Sequence, residues 1–274
     1  MEKKRSSFTG RVGFVLAAAG SAVGLGNLWR FPYLAAKYGG GIFLLVYIIL
    51  AITFGFTLMV TEIAIGRKTG LSCISAYKKL DKRFGFMGWL SALVPVIITP
   101  YYCVIGGWVI RYFAEFVSGH GKDLATSSAD FFSNFIGMKG GIVDNPMLWF
   151  IIFVALTSAV VIFGVENGIE KVSKVMLPRL VILCVVIAVF ALTIDGALAG
   201  LKYYLLPDFS KFSSATVLGA LGQLFYSMSL AMGIMITYGS YMKKEDNIEK
   251  SVRQIEIFDT GIALLAGLII IPSV

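Results

Sequence analysis

The chain is poor in charge. Of its 274 residues only 16 are acidic, and Asp, Glu, Lys and Arg together make 15%. A water-soluble chain of this length needs about a quarter of its residues charged to cover its surface, so a soluble globular domain is excluded. A single histidine, His120, and three scattered cysteines, Cys73, Cys103 and Cys184, leave no zinc constellation and no disulfide framework. Reduced thiols are expected. No nucleophile–base pair is visible either, and nothing in the chain points to an enzyme. No cleavable signal peptide is expected, because the first apolar stretch is full length and contains Asn27, Arg30 and Pro32.

What is abundant is apolar. Hydrophobic residues make 57% of the chain, with 30 glycines among the rest. Crossing roughly 30 Å of hydrocarbon takes about 20 apolar residues. Runs of that kind fall at 12–34, 41–65, 87–116, 148–165, 175–193, 217–241 and 258–274, which predicts about seven spans of an all-α transmembrane chain. The formal charge of +8 could suggest a nucleic-acid partner, but its distribution does not. Most Lys and Arg fall in segments 1–11, 67–83, 166–174 and 243–253, which share one side of the membrane. The other side carries Lys37, Lys122, Lys139, Lys202 and Lys211. That asymmetry places the N-terminus in the cytoplasm.

Segment 67–86 is long enough for a short amphipathic helix along the membrane surface. Segment 165–174 reads as a polar connection, and 117–145 as the longest polar stretch outside. No linker or low-complexity tract divides the chain, so 1–274 is expected to be one domain.

Two spans are anomalous. The first reads AAAGSAVGLGNLWRFP and places Asn27, Arg30 and Pro32 at membrane depth behind Gly20, Gly24 and Gly26. The sixth reads GQLFYSMSLAMG, with Gln223, Ser227 and Ser229 in mid-span. Each glycine weakens a helix by about 1 kcal/mol relative to alanine. Clustered, they let the backbone leave helical geometry, which in lipid is tolerated only where it lines a cavity or packs inside protein. Small residues also serve close helix packing. Asn27 and Arg30 beside the glycines favour a site.

The run GSAVGLGNLWRFPYLAAKYGGGIF resembles the first-span signature of the neurotransmitter:sodium symporters, in their bacterial amino-acid transporter form. LMVTEIAIGR, the Tyr101-Tyr102 pair and GQLFYSMSLAMGIMITYGSY are similar to later motifs of that family, so the resemblance covers the whole chain. The absence of an Asn-x-Ser/Thr sequon in 117–145 suits a prokaryotic member. The resemblance implies a five-plus-five inverted-repeat transporter fold with spans one and six unwound at mid-membrane. It implies a sodium-coupled symporter in the cell membrane that imports an L-amino acid by alternating access. A pocket without charge suggests an apolar or aromatic substrate. The rival is a non-transporting, truncated or regulatory fragment of such a carrier.

The resemblance also assigns residues. Ala22, Leu25, Gly26, Ile98, Tyr102, Tyr226, Ser227, Ser229 and Met232 would bind substrate, Leu25 and Gly26 through N–H groups and Tyr102 through its hydroxyl. Ordinary packing is the alternative for Ile98 and Met232. Ala22, Asn27, Ser227 and Asp259 would hold one sodium ion, and Gly20 and Val23 would offer carbonyls to a second. Arg30 resembles an outer-gate arginine. Arg5, Phe8, Ser240 and Tyr241 would form the inner gate, with Phe8 where the family usually has tryptophan. Tyr47, Glu62 and Gln223 would support the site. A carboxylate snorkelling at a helix end is the alternative for Glu62, and a helix–helix hydrogen bond for Asn27.

Asp259 departs from the pattern, because the family commonly has asparagine there. Many bacterial members carry a carboxylate one turn further on in place of the bound chloride of animal members, but here that position is Ala263. Asp259 would then both ligate Na+ and supply the fixed charge, making chloride unnecessary. The alternative is a solvated residue at the start of a frayed span. The family takes further sodium ligands from an eighth span, whereas this sequence stops in the seventh. The expectation is an N-terminal portion that needs further C-terminal helices to transport.

Overall fold

The computed structural model describes residues 8–273. They fall into two compact units, one within Met1–Ala92 and Val165–Val274, the other Leu93–Gly164.

In the first unit, α1 (Arg11–Ala22) leads through a π-helical turn at Gly26–Arg30 into α2 (Phe31–Lys37). Next come α3 (Gly41–Leu50) and α4 (Phe56–Thr69), continuous through a second π turn at Ala51–Gly55. Gly70 ends α4 in the left-handed conformation that favours glycine. α5 (Cys73–Leu80) is the short helix expected in the basic connection. α6 (Gly85–Val117) begins here and continues into the second unit, with Pro95 and Pro100 inside it.

The second unit adds α7 (Gly121–Ile136) and α8 (Pro146–Ile162). Much of the outer stretch read as polar connection is therefore α7. Its inward residues pair with aromatics of α6: Trp108 meets Phe132 edge-on at 5.1 Å, and Tyr112 meets Phe131 at 5.2 Å. Arg111 is buried against Phe131 and Trp149 and is ion-paired to Glu115 and to Asp144, the latter at 2.6 Å. Asn145 caps α8 by accepting from the Met147 N–H at 2.9 Å.

Back in the first unit, a π turn at Val165–Glu170 opens α9 (Lys171–Ala191), followed by α10 (Ala197–Leu205). Then come α11 (Ser214–Ser227), α12 (Ile234–Gly239) and α13 (Ile248–Ile270). Ser213 caps α11 and Asn247 caps α13, each accepting a backbone N–H in the first turn.

Among the described residues, four helical stretches are long and apolar enough to cross a membrane: Gly41–Thr69, Lys82–Val117, Val165–Ala191 and Ile248–Ser273. The pair Arg11–Ala22 and Gly26–Lys37, bent by 49°, makes a fifth if taken as one broken span. α8 and the interrupted α11–α12 pair occupy the two remaining apolar runs. Two boundaries differ from expectation. The fifth span begins at Val165 and the seventh at Ile248, each about ten residues earlier than the apolar count implied. Their first turns carry charge on one face while the other face is buried, so an apolar count treats them as solvent. Asp259 consequently lies in the middle of α13, fully buried, and not at a frayed start.

Candidate functional site

Both anomalous spans break where the glycines and polar residues cluster. α1 stops at Ala22, Val23 is extended, and the Gly24 N–H turns to Asn27 Oδ1 at 3.1 Å instead of continuing the helix onto the Gly20 carbonyl. The sixth span breaks after Ser227. Ser229, Ala231 and Gly233 all have positive φ, at 54°, 60° and 68°. For the two residues with a side chain this costs on the order of 1–3 kcal/mol each. The surroundings hold them there: the Leu230 N–H reaches the Phe225 carbonyl at 3.0 Å, and the Ala231 N–H reaches Glu62 Oε1 at 2.6 Å. Glu62 is thus a buried acceptor for the unwound backbone.

The breaks meet α13 at one polar cluster. Asn27 Nδ2 donates to Ser227 Oγ at 3.0 Å, to the Asp259 carbonyl at 2.9 Å and to Asp259 Oδ1 at 2.8 Å. Ser227 Oγ also lies 2.9 and 3.1 Å from the two Asp259 carboxylate oxygens, and Tyr47 donates to Oδ2 at 3.3 Å. Asn27, Ser227, Asp259 and Tyr47 are each at most 1% exposed. Among the described residues no Lys, Arg or His forms an ion pair with Asp259. A fully buried carboxylate held only by neutral donors is expensive, and a cation beside it removes the cost. Asn27 Oδ1, Ser227 Oγ and the Asp259 oxygens lie together here, hard oxygen donors of the kind that a cation such as Na+ takes.

Around this cluster the broken spans interlock. Gln223 Nε2 donates to the Gly26 carbonyl at 2.8 Å. Arg30 donates to the Gly222 carbonyl and to Gln223 Oε1 at 3.2 and 3.3 Å, and its guanidinium lies 5.0 Å from the centre of the Tyr226 ring. The arginine expected at the outer gate therefore bridges the first and sixth spans. A Cβ on Gly26 would come within 3.1 Å of the Tyr226 ring and 3.4 Å of Ser227 Cα, so backbone and ring touch directly. Ala22 is buried at the end of α1, Leu25 is half-buried in the break, and Ser229 and Met232 lie in the unwound segment of the sixth span. Gly20 faces α9, where a Cβ would stand 3.2 Å from Ser173 Oγ, and Val23 is buried. Ile98 and Tyr102 lie half-buried on α6 in the second unit.

Before the start of α1, Phe8 is buried among Phe14, Tyr238 and Tyr241, with ring centres 5.5, 5.9 and 6.5 Å away. Its N–H donates to the Tyr241 carbonyl at 3.3 Å, and Ser240 Oγ donates to the Thr237 carbonyl. Arg5 lies outside the described residues. Sequence reasoning missed the neighbour of this gate. Glu170, 1% exposed, accepts from the Thr9 N–H and hydroxyl and from Lys174 Nζ, while Lys243 Nζ donates to the Thr9 carbonyl at 2.7 Å. Gly13 packs directly on Glu170, leaving no room for a side chain. The four-residue spacing of Glu170 and Lys174 was the available signal.

The family model described as the sodium:neurotransmitter symporter family matches residues 5–125 and 119–274. An uncharacterized sodium-dependent transporter of Bacillus subtilis is 38% identical over 278 residues, covering 100% of this chain and 60% of that protein. One from Methanocaldococcus jannaschii is 37% identical, covering 96% of this chain and 55% of that protein. The human sodium- and chloride-dependent taurine transporter is 30% identical over 96% of this chain and 49% of its own length. The crystal structure of MhsT in complex with L-phenylalanine matches with a TM-score of 0.85 at 33% identity, covering 98% of this chain and 61% of MhsT. The chain thus spans roughly half to three fifths of the length of these relatives. It belongs to the sodium:neurotransmitter symporter family.

Proposed function

We propose that the chain carries the sodium and substrate centre of a secondary transporter in the cell membrane, which imports an apolar or aromatic L-amino acid together with Na+. The observation that carries this reading is the buried Asn27–Ser227–Asp259 cluster at the meeting of two broken spans. Asp259 is the anionic ligand, with Ser227 Oγ and the Asn27 side-chain oxygen completing one ion site, and the Ala22 carbonyl beside it. The carbonyls of Gly20 and Val23 serve a second ion.

Broken helices expose partial charges, positive at N–H ends and negative at C=O ends. The N–H groups at Leu25 and Gly26 suit a substrate carboxylate, and the carbonyl end of α1 suits cations. Tyr226, Ser229 and Met232 offer no charge to a substrate side chain, and methionine repacks around different shapes. No covalent chemistry is involved. The work is the differential stabilisation of outward- and inward-facing states by ion and substrate. The positive-inside bias places the N-terminus in the cytoplasm, with Phe8, Ser240 and Tyr241 at the inner gate.

Because Asp259 is a fixed negative charge, chloride is not required. Relatives described as chloride-dependent leave that point to experiment.

The test is equilibrium binding of radiolabelled L-phenylalanine to the purified chain in lipid nanodiscs, in sodium or potassium buffer. Saturable binding that needs sodium and is displaced by apolar amino acids is expected. Binding of equal strength in potassium, or preferential displacement by glutamate or lysine, would defeat the proposal.

A further inference from the structure

Thr9, just ahead of α1, has each of its polar atoms taken by a charged residue of another element. Its N–H donates to Glu170 Oε2 at 3.0 Å and its hydroxyl to Glu170 Oε1, at the head of α9. Its carbonyl accepts from Lys243 Nζ at 2.7 Å, in the loop that follows α12. Lys174 Nζ closes the group, 2.6 Å from Glu170 Oε1 and 3.2 Å from the Thr9 hydroxyl. Glu170 and Lys243 carry opposite charges, yet they do not pair with each other; the Thr9 peptide lies between them. Thr9 is exposed, whereas Glu170 beneath it is 1% exposed. Gly13 packs so closely on the carboxylate that a Cβ there would collide with it. The segment ahead of α1 is therefore a cover over a buried charge. Lifting it takes from Glu170 Oε2 its hydrogen bond, and a carboxylate left buried without that bond is costly, so a half-lifted cover is disfavoured.

We propose that Glu170 and Lys243 form a two-sided clasp on the Thr9 peptide, whose release as one unit lets this end of the molecule open. Glu170 is a positioning residue that acts through Thr9: it holds the start of the first span against the fifth, while Lys243 holds it against the end of the sixth. The two sides cooperate although they do not touch. Each fixes the same peptide, so losing one frees Thr9 to move and leaves the other little to hold. The clasp's part in transport rests on the function proposed above, but its cooperativity does not. It can therefore be tested without ion or substrate, and failure of either reading leaves the other standing.

The experiment is amide hydrogen exchange of the full-length protein in lipid nanodiscs, in potassium buffer without amino acid, read by mass spectrometry. Peptides covering 8–22 report the clasp, and peptides within Gly41–Thr69 report the rest of the fold. Glu170→Gln and Lys243→Gln are each expected to speed exchange in 8–22 by about tenfold, the effect of losing one hydrogen bond to a charged group. The double variant should stay within about threefold of the faster single, where independent contacts would multiply to about a hundredfold. Thr9→Val, which keeps the shape and loses the hydroxyl, should also exchange faster, and Thr9→Ser should stay near the wild type. Lys244→Gln, which removes the same charge from the exposed neighbour, should change nothing. Unchanged exchange in Glu170→Gln, effects that multiply in the double variant, or Thr9→Ser as fast as Thr9→Val overturns the proposal. So does a rise shared equally by Gly41–Thr69, since Glu170 and Lys243 would then support the fold at large.

Discussion

At the scale of single residues, the telling contrast is between Asp259 and the asparagine usual for the family at that place. An asparagine there would be a neutral oxygen donor, whereas Asp259 brings a full charge into a site with no described cationic partner. A unit charge about 4 Å from Na+ interacts with it by about 4 kcal/mol at an effective dielectric of 20. Asp259→Asn is therefore expected to weaken sodium affinity by tenfold or more in chloride-free buffer, with partial rescue by added chloride. Sodium titration of substrate binding, in chloride and in gluconate, measures both effects. Wild-type affinity in gluconate would remove Asp259 from this role. The residue types of the site were legible in the sequence, because Asn27, Ser227 and Asp259 are polar groups inside apolar runs. Their contact was not. Asn27 and Asp259 are separated by 232 positions, and only the family resemblance brought them together before the fold did.

At the scale of elements, one helix, α4, is locked to the broken sixth span by two different means. Glu62 on α4 accepts the Ala231 N–H at 2.6 Å, a bond that offsets the positive-φ backbone at Ser229 and Ala231. Glu62→Leu leaves that N–H without an acceptor and is expected to cost about 1–3 kcal/mol. Glu62→Gln, which keeps an acceptor oxygen, should lose less. Thermal unfolding in a fixed lipid–detergent mixture ranks them, and equal losses would mean that Glu62 acts only by packing.

Close approach supplies the second lock. A Cβ on Gly66 would collide with the Ile236 carbonyl, and one on Gly239 with the Ile63 carbonyl, so α4 and α12 meet backbone to backbone. Gly66→Val should cost about 1–3 kcal/mol or more through overpacking. Gly261→Ala, on α13 with nothing within 4 Å, should be neutral or stabilising by up to about 1 kcal/mol. If both variants melt alike, the contact is not the constraint. The breaks themselves were readable from clustered glycine, but the early starts of the fifth and seventh spans were not. In α13 the buried residues Ile248, Val252, Ile255 and Asp259 follow helical spacing, while Glu249, Lys250 and Arg253 occupy other faces. Counting apolar runs averages the faces together and loses such turns, whereas periodicity would have kept them.

At the scale of the whole molecule, Asn27, Ser227 and Asp259 come from three spans, two of them broken, and meet in one buried cluster. The carboxylate costs stability unless a cation joins it, and under the proposed function that cost would couple ion binding to the arrangement of the spans. The central claim is that this cluster binds Na+. Equilibrium binding of ²²Na⁺ to the purified chain in chloride-free nanodiscs, without amino acid, tests it most directly. Saturable binding that excess potassium does not displace is predicted for the wild type, with binding to Asp259→Ala reduced at least tenfold. Undiminished ²²Na⁺ binding by Asp259→Ala would contradict the account.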